Sequence, residues 1–130
     1  MRMIIGGACQ GKLNYGICLY PDISWVDGNE CDFDELKRCE GIYNFQLYIR
    51  RVLQEANEVI LLKSIKCLPE INPDIIIISE EIGYGIVPVD AFERRFREQV
   101  GRICTELAAH SERVDRVTCG LGIIIKNLTG

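Results

Sequence analysis

Gly6-Gly7-Ala8-Cys9-Gln10-Gly11-Lys12 sets two glycines and a lysine at the spacing G-x-x-x-x-G-K, a pattern suited to holding phosphate. Glycines let successive backbone N–H groups turn inward on phosphate oxygens, a following helix start adds partial positive charge, and the lysine reaches the terminal phosphates. Gly6, Gly7, Ala8, Cys9, Gln10, Gly11, Lys12 and Leu13 are therefore the candidate cradle. The alternative is a strand-to-helix turn that needs small residues. Leu13 stands where a Ser or Thr hydroxyl would bind Mg²⁺, so one metal ligand of the pattern is missing. Cys9 is either a thiol activated by a helix start or a small loop residue.

Carboxylates and arginines supply further candidates. Asp27 closes an apolar stretch and is either a second carboxylate for Mg²⁺ or a turn aspartate before Gly28. Glu80 and Glu81 follow the most apolar run of the chain, where they could bind metal, act as a base or be solvated. Arg95, Gln99 and Arg102 share helical spacing and suit a phosphate clamp, while pairing of these arginines with Glu93, Glu98 and Glu106 competes. His110, the only histidine, falls at a helix end and takes no catalytic role.

Elements that place these groups follow from periodicity. Met3–Ile5 reads as a strand running into the glycine loop, Leu13–Tyr20 as a helix stopped by Pro21, and Ile23–Asp27 as a second strand. Apolar positions Leu36, Cys39, Tyr43, Leu47, Ile49, Val52 and Leu53 predict one long helix over residues 34 to 55, kinked at Gly41. Val59–Leu62 alone suggests a buried strand, but the stripe Leu62, Ile65, Leu68 decides for helix. The unbroken run Ile75–Ile78 suits a central strand buried on both faces. A glycine-bearing loop over Glu80–Pro88 leads to Asp90, which caps a helix reaching Ser111. Val114–Cys119 and Ile123–Ile125 close as strands about a turn at Gly120.

At 130 residues, 48% hydrophobic and 26% charged, the composition is that of a single compact α/β domain over residues 1–130. Its sheet is expected to be mainly parallel, with ligands at the carboxyl ends of the strands. A net charge of −4 and pI near 5.0 argue against nucleic acid as a partner. No apolar run is long enough for a membrane span or a signal-peptide core. Seven cysteines without a C-x-x-C pair read as reduced thiols, which together point to a cytoplasmic protein.

Ile82-Gly83-Tyr84-Gly85-Ile86-Val87-Pro88, then Arg94-Arg95-Phe96-Arg97-Glu98 and Gly101-Arg102, resemble the E-[VI]-G-x-G-I-V-P…R-R-F-R-[DE]-x-x-G-R block of the bifunctional adenosylcobinamide kinase/adenosylcobinamide-phosphate guanylyltransferase family. The likeness continues through Leu107-Ala108-Ala109, Val114 and Gly120-Leu121 to Lys126. Gly6-Gly7-Ala8-x-x-Gly11-Lys12 is similar to the family's G-G-A-R-S-G-K-S loop, and Val26-Asp27 to its V-D-C-L-T strand end. The resemblance implies a three-layer, RecA-like P-loop NTPase fold, ATP or GTP with Mg²⁺ as cofactors, cobinamide or another corrinoid as partner, and a homo-oligomer. It gives Glu81 the place of the family glutamate and implies catalytic roles for Lys12, Asp27 and Glu81. The segment that holds the family's nucleotide-accepting histidine has no counterpart, which implies loss of guanylyl transfer. Gly122 and Ile124 stand where the family has a proline and an arginine.

Overall fold

The computed structural model describes residues 1–55, 58–82 and 90–128. Its centre is a six-stranded sheet in the order β2-β3-β4-β1-β5-β6. The strands are β1 (Arg2–Gly6), β2 (Trp25–Asp27), β3 (Gly41–Tyr43), β4 (Ile76–Glu80), β5 (Arg113–Thr118) and β6 (Leu121–Asn127). All neighbours pair in parallel except β5 with β6, which form an antiparallel hairpin. Parallel neighbours need crossovers, supplied by α1 (Lys12–Leu19), α2 (Phe33–Leu36), α3 (Phe45–Glu55), α4 (Glu58–Ile71) and α5 (Ala91–His110).

Helices on both faces explain why β4 is apolar throughout. Side chains alternate across a strand, so Ile75 and Ile77 enter the large core beneath α3, α4 and α5, while Ile76 and Ile78 enter a smaller one with Ile4, Val117 and the partly buried Leu13 and Tyr15 of α1. The result is three layers, as the α/β reading requires. On α5 the apolar stripe Phe96, Val100, Ile103 and Leu107 is buried, and Asp90 caps the helix by accepting a hydrogen bond from Phe92 N at 2.8 Å.

One element differs from expectation. Residues 34 to 55 do not form a single helix: α2 ends at Leu36, Gly41–Tyr43 pairs with both β2 and β4, and α3 starts only after Asn44 turns the chain at φ 54°. The helical spacing from Leu36 through Tyr43 is coincidental, because a three-residue strand is too short to display an alternation of its own. Val59–Leu68 does lie in a helix, α4. Strand, loop and helix at the start, the central strand and the closing hairpin stand where the sequence puts them. The loop expected over residues 80 to 88 falls from Gly83 onward outside the described residues.

All seven cysteines are free. Burial raises the thiols of Cys31 and Cys39 to about 11, which removes thiolate at neutral pH. Cys9, Cys18, Cys67 and Cys119 are exposed. A colorimetric thiol count on native protein at neutral pH is therefore expected to give four fast groups, rising to seven in denaturant. Fast labelling of Cys31, read by mass spectrometry, would contradict this packing.

Candidate functional site

The glycine loop connects β1 to α1 at the carboxyl edge of the sheet. Gly11 is the N-cap of α1 with φ 85° and offers no side-chain cap, so the first-turn amides of α1 keep their donors for an external acceptor. Only glycine takes that backbone conformation at little cost. The loop is held from the other side by Gln10, whose carbonyl accepts from Gly120 N at 2.8 Å and whose Oε1 accepts from Cys119 N at 2.7 Å. Gly6 answers to close approach: a Cβ there would lie 2.5 Å from the carbonyl oxygen of Val117.

Lys12 arches back over the loop and donates to the Gly7 carbonyl at 2.6 Å. Burial lowers its pKa below the usual 10.5, opposed chiefly by the negative charge of Glu80. A cleft of about 510 Å³ opens beside it, lined by the loop, Asn14, Tyr43, Asn44, Gln46, Ile78 and Glu80. That volume is within the usual range for small-molecule sites.

Strand parity sorts the two adjacent glutamates. Glu80 continues the Ile76, Ile78 face toward α1 and enters the cleft, fixed by Gln46, which accepts from Glu80 N at 3.0 Å and donates to Glu80 Oε2 at 3.3 Å. Glu81 turns to the α5 face, pairs with Arg116 at 3.1 Å and is absent from the loop cleft; with Cys104 and Thr105 it lines a second cavity of about 360 Å³, whose wall Glu80 also reaches. The Glu81 N–H still extends the ladder, donating to the Gly6 carbonyl at 2.7 Å. The alternation across a strand was the sequence signal that separates Glu80 from Glu81.

Asp27 is not among the residues that line the cleft. Its Oδ1 accepts from Asn29 N at 2.9 Å and Asn44 Nδ2 at 3.1 Å, the pattern of an aspartate stabilising its own turn. On α5, Gln99 is buried and bonded to Glu58, whereas Arg95 and Arg102 are exposed, so the three do not present one common face. Gln99 falls between Phe96 and Ile103 on the buried stripe. Arg95 lies over the Phe92 ring and Arg102 pairs with Glu98. Among the described residues, no group of three or more His, Cys, Asp or Glu could hold a metal by itself. No helix among them is long and apolar enough to cross a membrane.

The model of the cobinamide kinase/cobinamide phosphate guanyltransferase family matches residues 39–125, well over half of the chain. The chain belongs to that family. The bifunctional adenosylcobalamin biosynthesis protein CobU of Salmonella typhimurium is 38% identical over 52 residues, 40% of this chain and 29% of that protein. The protein of that name from Escherichia coli matches to the same extent. The bifunctional adenosylcobalamin biosynthesis protein CobP of Pseudomonas aeruginosa is 34% identical over 62 residues, 48% of this chain and 36% of that protein. The matched stretches span only about a third of those relatives' length. The family is one of P-loop NTPase fold, in keeping with the mostly parallel sheet. Its match begins at Cys39, after both the glycine loop and Asp27, so the reading of the loop rests on its own geometry.

Two outcomes follow for the loop. Gly6→Ala is expected to cost about 1–3 kcal/mol by forcing β1 and β5 apart, measured by denaturant unfolding; an unchanged midpoint would refute the close approach. A phosphate seated at Lys12 favours the ammonium form, so nucleotide binding at alkaline pH should take up a proton, and affinity should fall as pH rises through the lowered lysine pKa. Calorimetry in buffers of different ionisation heat reads this uptake, which Lys12→Arg should abolish because arginine stays charged.

Proposed function

We propose that the chain is a single P-loop domain that binds ATP or GTP as the magnesium complex and acts as a cobinamide kinase-like phosphotransferase of cobalamin biosynthesis. The γ-phosphoryl group would pass to the hydroxyl of adenosylcobinamide or a related corrinoid alcohol. One observation carries the reading: Lys12 and the uncapped start of α1 converge on one cleft at the carboxyl edge of the sheet. When bound, Mg²⁺ would supply neutralisation of the charge on the phosphates. The loop amides would bind and orient the phosphates, and Lys12 would exchange the Gly7 carbonyl for a phosphate oxygen.

Guanylyl transfer through a histidine finds no support in the cleft. The only histidine, His110, is exposed at the far end of α5. Leu13 favours a second reading, a nucleotide- or corrinoid-binding partner without turnover, because it brings no hydroxyl to the metal. For assembly, β6 is the last strand of the sheet among the described residues and exposes Leu121, Ile123, Ile124 and Ile125, a surface suited to association with further copies of the chain. A cytoplasmic setting agrees with the seven free thiols.

The test is calorimetric binding of ATP and GTP, with and without Mg²⁺, to the native chain and to Lys12→Ala. The kinase-like reading expects binding weakened at least tenfold in the variant and a phosphorylated product when cobinamide is added. Binding without product would move the protein to the partner reading. Absence of nucleotide binding would remove both nucleotide-based readings.

A further inference from the structure

We infer that Glu80 is the residue through which this chain holds the magnesium ion of a bound nucleotide, in place of the absent hydroxyl at Leu13 and ahead of Asp27 and Glu81. The inference rests on the nucleotide reading above and deepens it. Glu80 is the one carboxylate among the described residues lining the loop cleft. Register delivers it there: β1 and β4 pair with Gly6 opposite Glu80, so the carboxylate stands beside the first glycine of the loop. Gln46 fixes it by two hydrogen bonds, leaving Glu80 Oε1 without a hydrogen-bond partner among the described residues. Of the competing carboxylates, Asp27 is occupied with the Asn29 and Asn44 turn and Glu81 pairs with Arg116 on the other face.

A single fixed carboxylate is enough for this ion. Mg²⁺ keeps several waters and is commonly held by one or two carboxylates plus the substrate's own phosphates, in contrast to the all-protein cages of other metals. The lack of a three-ligand cluster among the described residues fits an ion that arrives with the nucleotide. Asn44, at the end of β3 in the same cleft, offers a neutral oxygen or amide for one of those waters. Without the ion, Glu80 faces the phosphates as a like charge, so the same side chain should oppose metal-free nucleotide and favour the magnesium complex.

That opposition gives a signature that a merely structural glutamate would lack. Binding of non-hydrolysable ATP and GTP analogues is measured by calorimetry with and without Mg²⁺, for the native chain and for Glu80→Gln, Glu81→Gln and Asp27→Asn. For the native chain, Mg²⁺ alone should give no binding heat, and Mg²⁺ should tighten the analogue. In Glu80→Gln that tightening should fall by about 10- to 100-fold, the usual scale for disturbing a metal's supports, while metal-free analogue binds more tightly than to the native chain. The other two variants should keep their magnesium dependence. Retained dependence in Glu80→Gln, or its loss in Glu81→Gln or Asp27→Asn alone, overturns the assignment and leaves the nucleotide reading standing. Absence of analogue binding to the native chain overturns both.

A measurement on the native chain needs no variant. With Mn²⁺ replacing Mg²⁺ in the analogue complex, paramagnetic broadening should erase the side-chain amide signal of Gln46, which touches the Glu80 carboxylate. A surviving Gln46 signal overturns the assignment.

Discussion

The register between β1 and β4 is the constraint on which the rest of the molecule depends. It sets Gly6 opposite Glu80 at the point where the chain leaves the sheet toward α1, and the Glu81 N–H closes the ladder on the Gly6 carbonyl. A slip by one residue would exchange the two faces of β4, moving Ile75 and Ile77 out of the large core and Glu80 out of the cleft. Both faces of β4 are apolar, with Ile75, Ile76, Ile77 and Ile78 all buried, so the polar groups that end the strand, Glu80 toward the cleft and Glu81 toward α5, are what a change of face would misplace.

The same sheet carries the loop from its other side. β5 continues the parallel ladder and is tied to α1 by the buried Asp115, whose Oδ2 accepts from Tyr15 at 2.5 Å while Arg113 binds both carboxylate oxygens at 2.7 and 3.0 Å. That network is well satisfied, which is what a buried carboxylate requires. Hydrogen bonding to Asp115 pushes the Arg113 guanidinium up, and burial followed by the Asp115 hydrogen bond raises the Tyr15 phenol. The β5–β6 turn then returns to Gln10 through two backbone N–H groups. The glycine loop is thus held at both flanks by groups distant in sequence.

How much of this the sequence disclosed depended on segment length. The strand, glycine loop and helix, the Ile75–Ile78 run and the α5 stripe each carry enough periodic positions to declare their type. Gly41–Tyr43 does not, and its residues fit a helical pattern that their neighbours happen to continue. That pattern hides the strand whose end brings Asn44 and Gln46 to the cleft. Asp27 is the visible strand-ending carboxylate of the sequence, although it lies on β2, the strand farthest from β1 on that side of the sheet. For the pair Glu80-Glu81 the information was present: the apolar run has a face for odd and a face for even positions, and the loop's helix covers only one of them. Resemblance favoured Glu81, whereas parity places Glu80 beside Lys12. Gln99 shows the converse, since its spacing to the arginines was sound but its spacing to Phe96 and Ile103 was the one that tertiary packing used.

Lys12 shows how the cleft keeps a cation ready in a partly buried place. Desolvation alone favours the neutral amine, and a neutral amine would not attract phosphate. Glu80 is the foremost of the charges that oppose this loss, and the Gly7 carbonyl takes one of the three ammonium protons. In the free protein, then, the carboxylate sustains the charge of the lysine it faces. Once an anion enters, that carboxylate becomes a repulsive neighbour unless a divalent cation lies between them. Leu13 contributes nothing to such a cation, so the electrostatic balance of the cleft turns on Glu80 and Lys12, both of which line it.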